Sequence, residues 1–189
     1  MKWWVGASCA VHKDMKSHTG GVLSLGAGAV YGTSTKQKLM TKSSTEAELV
    51  GVNDVMPQIL WTRYFLEAQG YAPHQSVIFQ DNKSAILLEK NGQASSSKRT
   101  WHINIRYFFV TDRVASSEVC IEYCPTGEMI ADYFTKPLQG HLFYKFRNEI
   151  LNIEEDTLHA PAPKDTLSQD HRSVLRTGER YQFEKSKSA

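Results

Sequence analysis

Three carboxylates fall where a fold could gather them. Glu48 lies one turn into a long helical pattern, Asp81 closes a short apolar run and is followed by Asn82, and Asp132 sits early in a later helical stretch. Ligands of open sheets collect at the carboxyl ends of strands, which suits Asp81. Carboxylates drawn together from separate elements cannot all stay ionised unless a cation neutralises them. An oxygen-only set suits Mg2+, which keeps several of its waters. Two such ions about 3.5–4 Å apart would clamp both the attacking and the leaving oxygen of a phosphodiester. Taken singly, each of the three reads as a solvated surface acid or a cap, so the case rests on their joint placement.

A phosphate-bearing substrate also needs cations. Lys36, Lys38 and Lys42 precede the long helix that carries Glu48. Lys98 and Arg99 lie in a serine-rich loop, and His102 and Arg106 share one face of the helix after it. These residues read as a phosphate track beside the acidic site or, without a substrate, as an ordinary lysine-rich surface. The spacing of His102 fits either a substrate contact or packing.

The elements that must position these groups follow from local signals. Trp3–Ala10 reads as a strand, with Trp3 and Trp4 alternating between the core and an edge. Thr19–Leu25 and Ala29–Ser34 read as two more strands, joined by Gly26-Ala27-Gly28 in a hairpin. Ser43 followed by Glu46 is a capping box. It opens a helix that runs to about Gln69 on a face of Leu49, Val52, Met56, Ile59, Leu60 and Tyr64. Pro57 predicts a kink or break near Val55, and Gly70 a C-terminal stop. Ser76–Gln80 reads as a strand, Lys83–Lys90 and Thr100–Ala115 as helices, Val119–Cys124 as a strand and Glu128–Thr135 as a last helix, ended near Pro137. The stripes Leu60-Tyr64 and Phe108-Phe109 read as core. Strands alternating with helices imply a mixed sheet covered by helices.

The 189 residues allow one domain with a proper core plus a tail. Residues 1–153 form the expected domain. Residues 154–189 carry charges of both signs, Pro161 and Pro163, and few large apolar groups, so disorder or one loose helix is expected there. A net charge of +2 makes no general demand for a nucleic-acid partner. Cys9, Cys120 and Cys124 make a poor disulfide framework, so no disulfide-linked partner is expected. There is no membrane-length apolar run and no signal-peptide pattern. The expected location is intracellular, cytoplasmic or nuclear, without membrane association.

Four segments occur in a fixed order: Ser43-Ser44-Thr45-Glu46-Ala47-Glu48-Leu49, Gln80-Asp81-Asn82-Lys83-Ser84-Ala85, His102-Ile103-Asn104-Ile105-Arg106-Tyr107 and Ala131-Asp132-Tyr133-Phe134-Thr135-Lys136-Pro137-Leu138. Together they resemble the ribonuclease H domain of copia-type LTR retrotransposon polyproteins. The resemblance implies an α/β ribonuclease H-like fold, with a mixed sheet of three antiparallel and two parallel strands flanked by helices. It implies a nuclease that uses two Mg2+ ions, with Mn2+ as a substitute, to hydrolyse the RNA strand of an RNA–DNA hybrid. In-line attack by water would leave a 3′-hydroxyl and a 5′-phosphate. The partners it implies are that hybrid and the reverse transcriptase portion of the parent polyprotein.

Of the family's four metal-binding carboxylates, the second falls on Glu48, with Glu46 as a rival, the third on Asp81 and the fourth on Asp132. The first falls on Gly6, which offers no ligand, and Asp14 is a conceivable substitute. Trp101 and Asn104 also depart from the family pattern. The expectation is therefore a ribonuclease H module impaired at Gly6. The alternative is a catalytically inactive retrotransposon remnant with at most weak nucleic-acid binding.

Overall fold

The computed structural model describes residues 1–71, 75–91 and 101–153, for residues 101–105 as backbone alone. The expected tail at 154–189 and the serine-rich loop with Lys98 and Arg99 lie outside the described residues.

Five strands form one sheet: β1 (Lys2–Ser8), β2 (His18–Ser24), β3 (Tyr31–Lys36), β4 (Ser76–Gln80) and β5 (Val119–Tyr123). Their spatial order is β3-β2-β1-β4-β5. β1 pairs antiparallel with β2, and β2 with β3, while β1–β4 and β4–β5 are parallel. This is the expected mixed sheet. The strands alternate between two covered faces. Trp3, Val5, Leu23, Ile78, Val119 and Ile121 are buried on one face against helix α1 (Ser44–Ala68), joined by Val110 of helix α3 (Trp101–Ala115). Trp4 projects to the opposite face rather than to an edge, and there it meets Phe79 with ring centroids 5.2 Å apart. On that face Val22 packs with Ile130 and Phe146.

Helix α1 begins as its capping box dictates, with the Glu46 N–H donating to Ser43 Oγ at 3.2 Å. The reciprocal arm lands one residue early, because Glu46 Oε2 accepts from the Lys42 N–H at 2.7 Å. The helix is unbroken through Pro57, contrary to the expected kink or break. The proline lies on the exposed side, while its neighbours Val55, Met56 and Ile59 are buried against the sheet. Their burial outweighs the one backbone bond that proline removes. Gly70 follows the helix at φ +85°, the left-handed conformation its type permits.

Helix α2 (Lys83–Asn91) is opened by Asn82, whose Oδ1 accepts from the Ser84 and Ala85 N–H groups. The expected last helix at Glu128–Thr135 is instead a 3-10 turn at Thr126–Glu128 and a single helical turn, α4 (Asp132–Thr135). A further helix, α5 (Gly140–Leu151), was not anticipated. Its signal is Leu142, Phe146 and Ile150 at four-residue steps. Phe146 is buried, and Ile150 packs against the same cluster.

Tyr64 and Phe108 are each 48% exposed and so correct the core reading of their stripes, whereas Leu60 and Phe109 do pack on the core. The cysteines are all free thiols. Among the described residues, no helix is long and apolar enough to cross a membrane.

Candidate active site

Glu48, Asp81 and Asp132 reach one place from three elements. Glu48 is on the first turns of α1, 6% exposed, and is held by a backbone hydrogen bond from Ala7 of β1. The loop before the helix is pinned by Gln37, whose Nε2 donates to Thr19 Oγ1 at 2.9 Å and to the Ala47 carbonyl at 2.8 Å. Asp81 directly follows β4, and its Oδ2 accepts from Thr126 Oγ1 at 3.0 Å. Asp132 opens α4 and is 6% exposed.

Helix α4 is tied to the strands on either side of β2. Ser8 Oγ donates to the Thr135 carbonyl at 2.9 Å and Ser34 Oγ to the Phe134 carbonyl at 2.8 Å. Close approach is what makes this seat possible. A Cβ on Gly20 would lie 2.6 Å from Thr135 Cγ2 and 2.7 Å from the Ala131 carbonyl oxygen, so only glycine fits beneath the helix.

The electrostatics agree with this convergence. Burial pushes the Glu48 carboxyl up to about 8, with further upward pressure from the charges of Asp81 and Asp132. Burial also raises Asp132, and Asp81 adds to that, while Lys136 pulls it down. Lys136 Nζ donates to Asp132 Oδ2 at 2.8 Å. Oε2 of Glu48 has no hydrogen-bond partner. A second acid lies behind it. Glu89 of α2 is fully buried, Gln80 Nε2 reaches its Oε1 at 3.4 Å, and burial together with the charge of Glu48 drives its carboxyl well upward.

Gly6 faces this cluster. A Cβ at position 6 would sit 3.9 Å from Asp132 Oδ1, 3.5 Å from Met129 Cε and 3.6 Å from Ala131 Cβ, all ordinary contacts. There is therefore room for a side chain, and it would point at Asp132. Among the described residues, no group of three or more His, Cys, Asp or Glu could hold a metal ion as arranged. The residues present do not fit a two-ion site.

Two alternative ligands are engaged elsewhere. Asp14 is bound by Lys36 at 2.8 Å and Lys16 at 3.6 Å, and the Lys36 hydrogen bond holds its carboxyl below the usual range. Glu46 caps α1.

Of the expected phosphate track, Lys36 is therefore paired with Asp14. Lys38 and Lys42 are exposed. Arg106 Nη1 contacts Asp54 Oδ1 of α1 at 3.2 Å, and Lys38 also acts electrostatically on Asp54. These two expected cations thus converge on one acid. His102 lies on α3, and its side chain is outside the described residues.

Sequence reasoning missed the roles of Lys136, Thr126, Gln37 and Glu89. Only Lys136 carried a local signal, since a lysine four residues after an aspartate is an ion-pair spacing.

No family model matches the chain. The Pol polyprotein of transposon TNT 1-94 from Nicotiana tabacum is 31% identical over 130 residues, covering 69% of this chain and 10% of the relative. That of transposon RE2 from Arabidopsis thaliana is 33% identical over 138 residues, covering 72% and 9%. The chain is homologous to retrotransposon Pol polyproteins. It spans about a tenth of the length of these relatives. The Ty1-JR1 Gag-Pol polyprotein of Saccharomyces cerevisiae is more distant, 25% identical over 134 residues, covering 71% of this chain and 8% of the relative.

Among solved structures, LC11-RNase H1, isolated from compost, matches with a TM-score of 0.52 at 9% identity, covering 70% of this chain and 90% of that one. The same protein in complex with an RNA/DNA hybrid matches with a TM-score of 0.50 at 7% identity, covering 70% and 91%. These likenesses establish that this retrotransposon Pol segment has the ribonuclease H fold.

Proposed function

We propose that the chain is the ribonuclease H module of a copia-type retrotransposon polyprotein, directed at the RNA strand of RNA–DNA hybrids and impaired by Gly6. The observation that carries this reading is the convergence of Glu48, Asp81 and Asp132 from three elements, with the bare backbone of Gly6 facing Asp132. The sequence motifs and the Pol homology bear on the substrate. LC11-RNase H1, one structural neighbour, has been solved in complex with an RNA/DNA hybrid, and the same class of substrate is proposed for this chain. The rest of the polyprotein, including its reverse transcriptase, is the expected covalent partner.

Within this reading Glu48, Asp81 and Asp132 are the candidates for divalent cations, and Gly6 leaves the cluster one ligand short. Lys36, Lys38, Lys42 and Arg106 are the described candidates for phosphate contacts, together with Lys98, Arg99 and His102. The two that meet at Asp54 would lie on the approach along α1 and α3. If the missing ligand accounts for a thousandfold in rate, restoring it is worth about 4 kcal/mol of transition-state stabilisation.

A second reading, an inactive remnant with at most weak nucleic-acid binding, is favoured by the same gap and by Lys136, whose ammonium already occupies Asp132. Cleavage of a labelled RNA–DNA hybrid in Mg2+ or Mn2+ separates the two. Activity confined to Gly6→Asp is the expected result. Equal activity of the native chain and Gly6→Asp would overturn the role given to Gly6. Inactivity of both, from folded protein, would favour the remnant.

A further inference from the structure

We infer that a cavity between α5 and the β2–β3 hairpin is a binding site for a small aromatic ammonium compound, held through Trp4 and Glu149. None of Glu48, Asp81 and Asp132 lines it, so it is separate from the carboxylate cluster.

The cavity follows from the way α5 closes the second face of the sheet. Phe146 packs with Val22 and Ile130, and Ile150 joins that cluster. The Ala29 N–H donates to the Ile150 carbonyl at 2.8 Å, which ties the hairpin to the end of the helix. Gly28 permits this approach, because a Cβ there would lie 3.0 Å from Asn152 Cβ and 3.2 Å from the Ile150 carbonyl oxygen. A space of about 300 Å³ remains between these anchors and the sheet. That is the lower end of the range found for small-molecule sites, which are mostly apolar with a few polar groups. Trp4, Val22, Ile130 and Ile150 supply the apolar walls. The Trp4 ring offers a surface for offset or edge-on packing of a second aromatic ring. Phe79, which also meets Trp4, lines only the neighbouring cavity.

The charge of the ligand follows from Glu149, the one charged residue in this lining. It stands in the last turn of α5, where the backbone carbonyls already concentrate negative potential, and that turn has no basic residue. Burial pushes the Glu149 carboxyl up, Lys145 pulls it down and the charge of Glu128 pushes it up again. The cations nearest along the helix are directed elsewhere. Lys145 Nζ donates to the Gly127 carbonyl at 2.8 Å and to Glu128 Oε1 at 2.6 Å, and Arg147 donates to Asn148 Oδ1. Among the described residues, no side chain pairs with the Glu149 carboxylate. A ligand ammonium would offset both the carboxylate and the helix end, with a cation–π contribution where it reaches the indole. A second cavity of about 280 Å³ lies beyond Trp4 and Ile130, but there Lys2 stands with Glu128 and Glu149, so it selects neither sign of charge.

The test uses phenethylamine as the probe, with 2-phenylethanol and 3-phenylpropionate as neutral and anionic controls of similar shape. Binding is followed by the methyl NMR signals of Val22 and Ile150, which line this cavity and not its neighbour. The expected result is a saturable shift of both signals, with phenethylamine bound about fivefold more tightly than the alcohol, the upper end of what a partly exposed ion pair supplies. The anion should bind more weakly than either. Glu149→Gln should abolish the preference for the ammonium while leaving the affinity for the alcohol unchanged, and Glu149→Asp should retain the preference. Signals of Val22 and Ile150 that do not move would overturn the inference. So would equal affinity of the native chain for the ammonium and the alcohol, or a preference that survives in Glu149→Gln. A loss of alcohol binding in folded Glu149→Gln would show that Glu149 shapes the cavity rather than selecting charge, and would also overturn it.

Discussion

At the scale of single residues, Gly6 and Asp132 face each other in the proposed site. The backbone of Gly6 lies in a paired strand opposite Gly20, where glycine contributes no packing and costs conformational entropy. The space above it is open to a Cβ at ordinary contact distances. Gly6→Ala is therefore expected to raise the unfolding free energy by about 0.5–1 kcal/mol. Gly6→Asp, measured in chelator, should be less stable than Gly6→Ala, because its carboxylate enters beside Asp132 Oδ1. Urea midpoints of the two variants provide the check. Gly6→Asp equal to or above Gly6→Ala in chelator would mean that position 6 does not face Asp132.

At the scale of elements, α4 decides whether the cluster exists at all. It has four residues, too few to be stable alone, and depends on its seat. That seat is made of two serine hydroxyls and the bare backbone of Gly20. Gly20→Ala would thrust a methyl group into Thr135 and the Ala131 carbonyl, and overpacking of this kind costs about 1–3 kcal/mol. The expected outcome is a lower denaturation midpoint, together with a change in the Asp132–Lys136 pair detectable in the side-chain NMR signals of Lys136. An unshifted midpoint for Gly20→Ala would show that α4 is held less closely to β2 than the geometry implies. By contrast, α1 is secured several times over, by its cap, by Gln37 and by the burial of Val52, Val55, Met56 and Ile59. That redundancy is why Pro57 leaves it unbroken.

At the scale of the whole molecule, the fold buries more acid than it neutralises. Glu48 and the fully buried Glu89 both hold their protons well above the ordinary carboxylate range, chiefly through burial. The folded state therefore keeps protons that the unfolded chain releases near 4.5. In that range the unfolded state binds fewer protons, so stability falls as pH rises. For Glu48 the fall runs from about 4.5 to about 8 and then levels off. Each such group removes up to about 1.4 kcal/mol per pH unit inside its window. Glu89→Gln should flatten the slope above the carboxylate range and stabilise the protein relative to the native chain at alkaline pH. Unfolding free energies measured from pH 5 to pH 9 in chelator isolate this contribution as the difference between the two proteins. Parallel curves would mean that Glu89 ionises normally.

Much of this architecture was legible in the chain because its causes are local. Ser43 and Glu46 announce the start of α1 and Gly70 its end. The run Ser76–Gln80 coincides with β4, and the four motif segments carried the resemblance that implied the ribonuclease H fold. The signals failed where tertiary packing overrides a local rule or where no local rule exists. Burial carries α1 through Pro57, and the last predicted helix is divided into the 3-10 turn at Thr126–Glu128 and the single turn of α4. The apolar spacing of α5 was present but unread.

The side-chain partnerships were beyond the sequence altogether. That Asp14 belongs to Lys36, Arg106 to Asp54 and Thr126 to Asp81, and that Glu89 lies sealed behind Glu48, depends on residues 22, 52, 45 and 41 positions apart. The sequence by itself determined which carboxylates are available and that position 6 offers none, because residue type alone decides whether a side chain can bind a cation. Only the tertiary structure decided what surrounds them, since burial and the neighbouring ammonium of Lys136 set how much charge the cluster can hold.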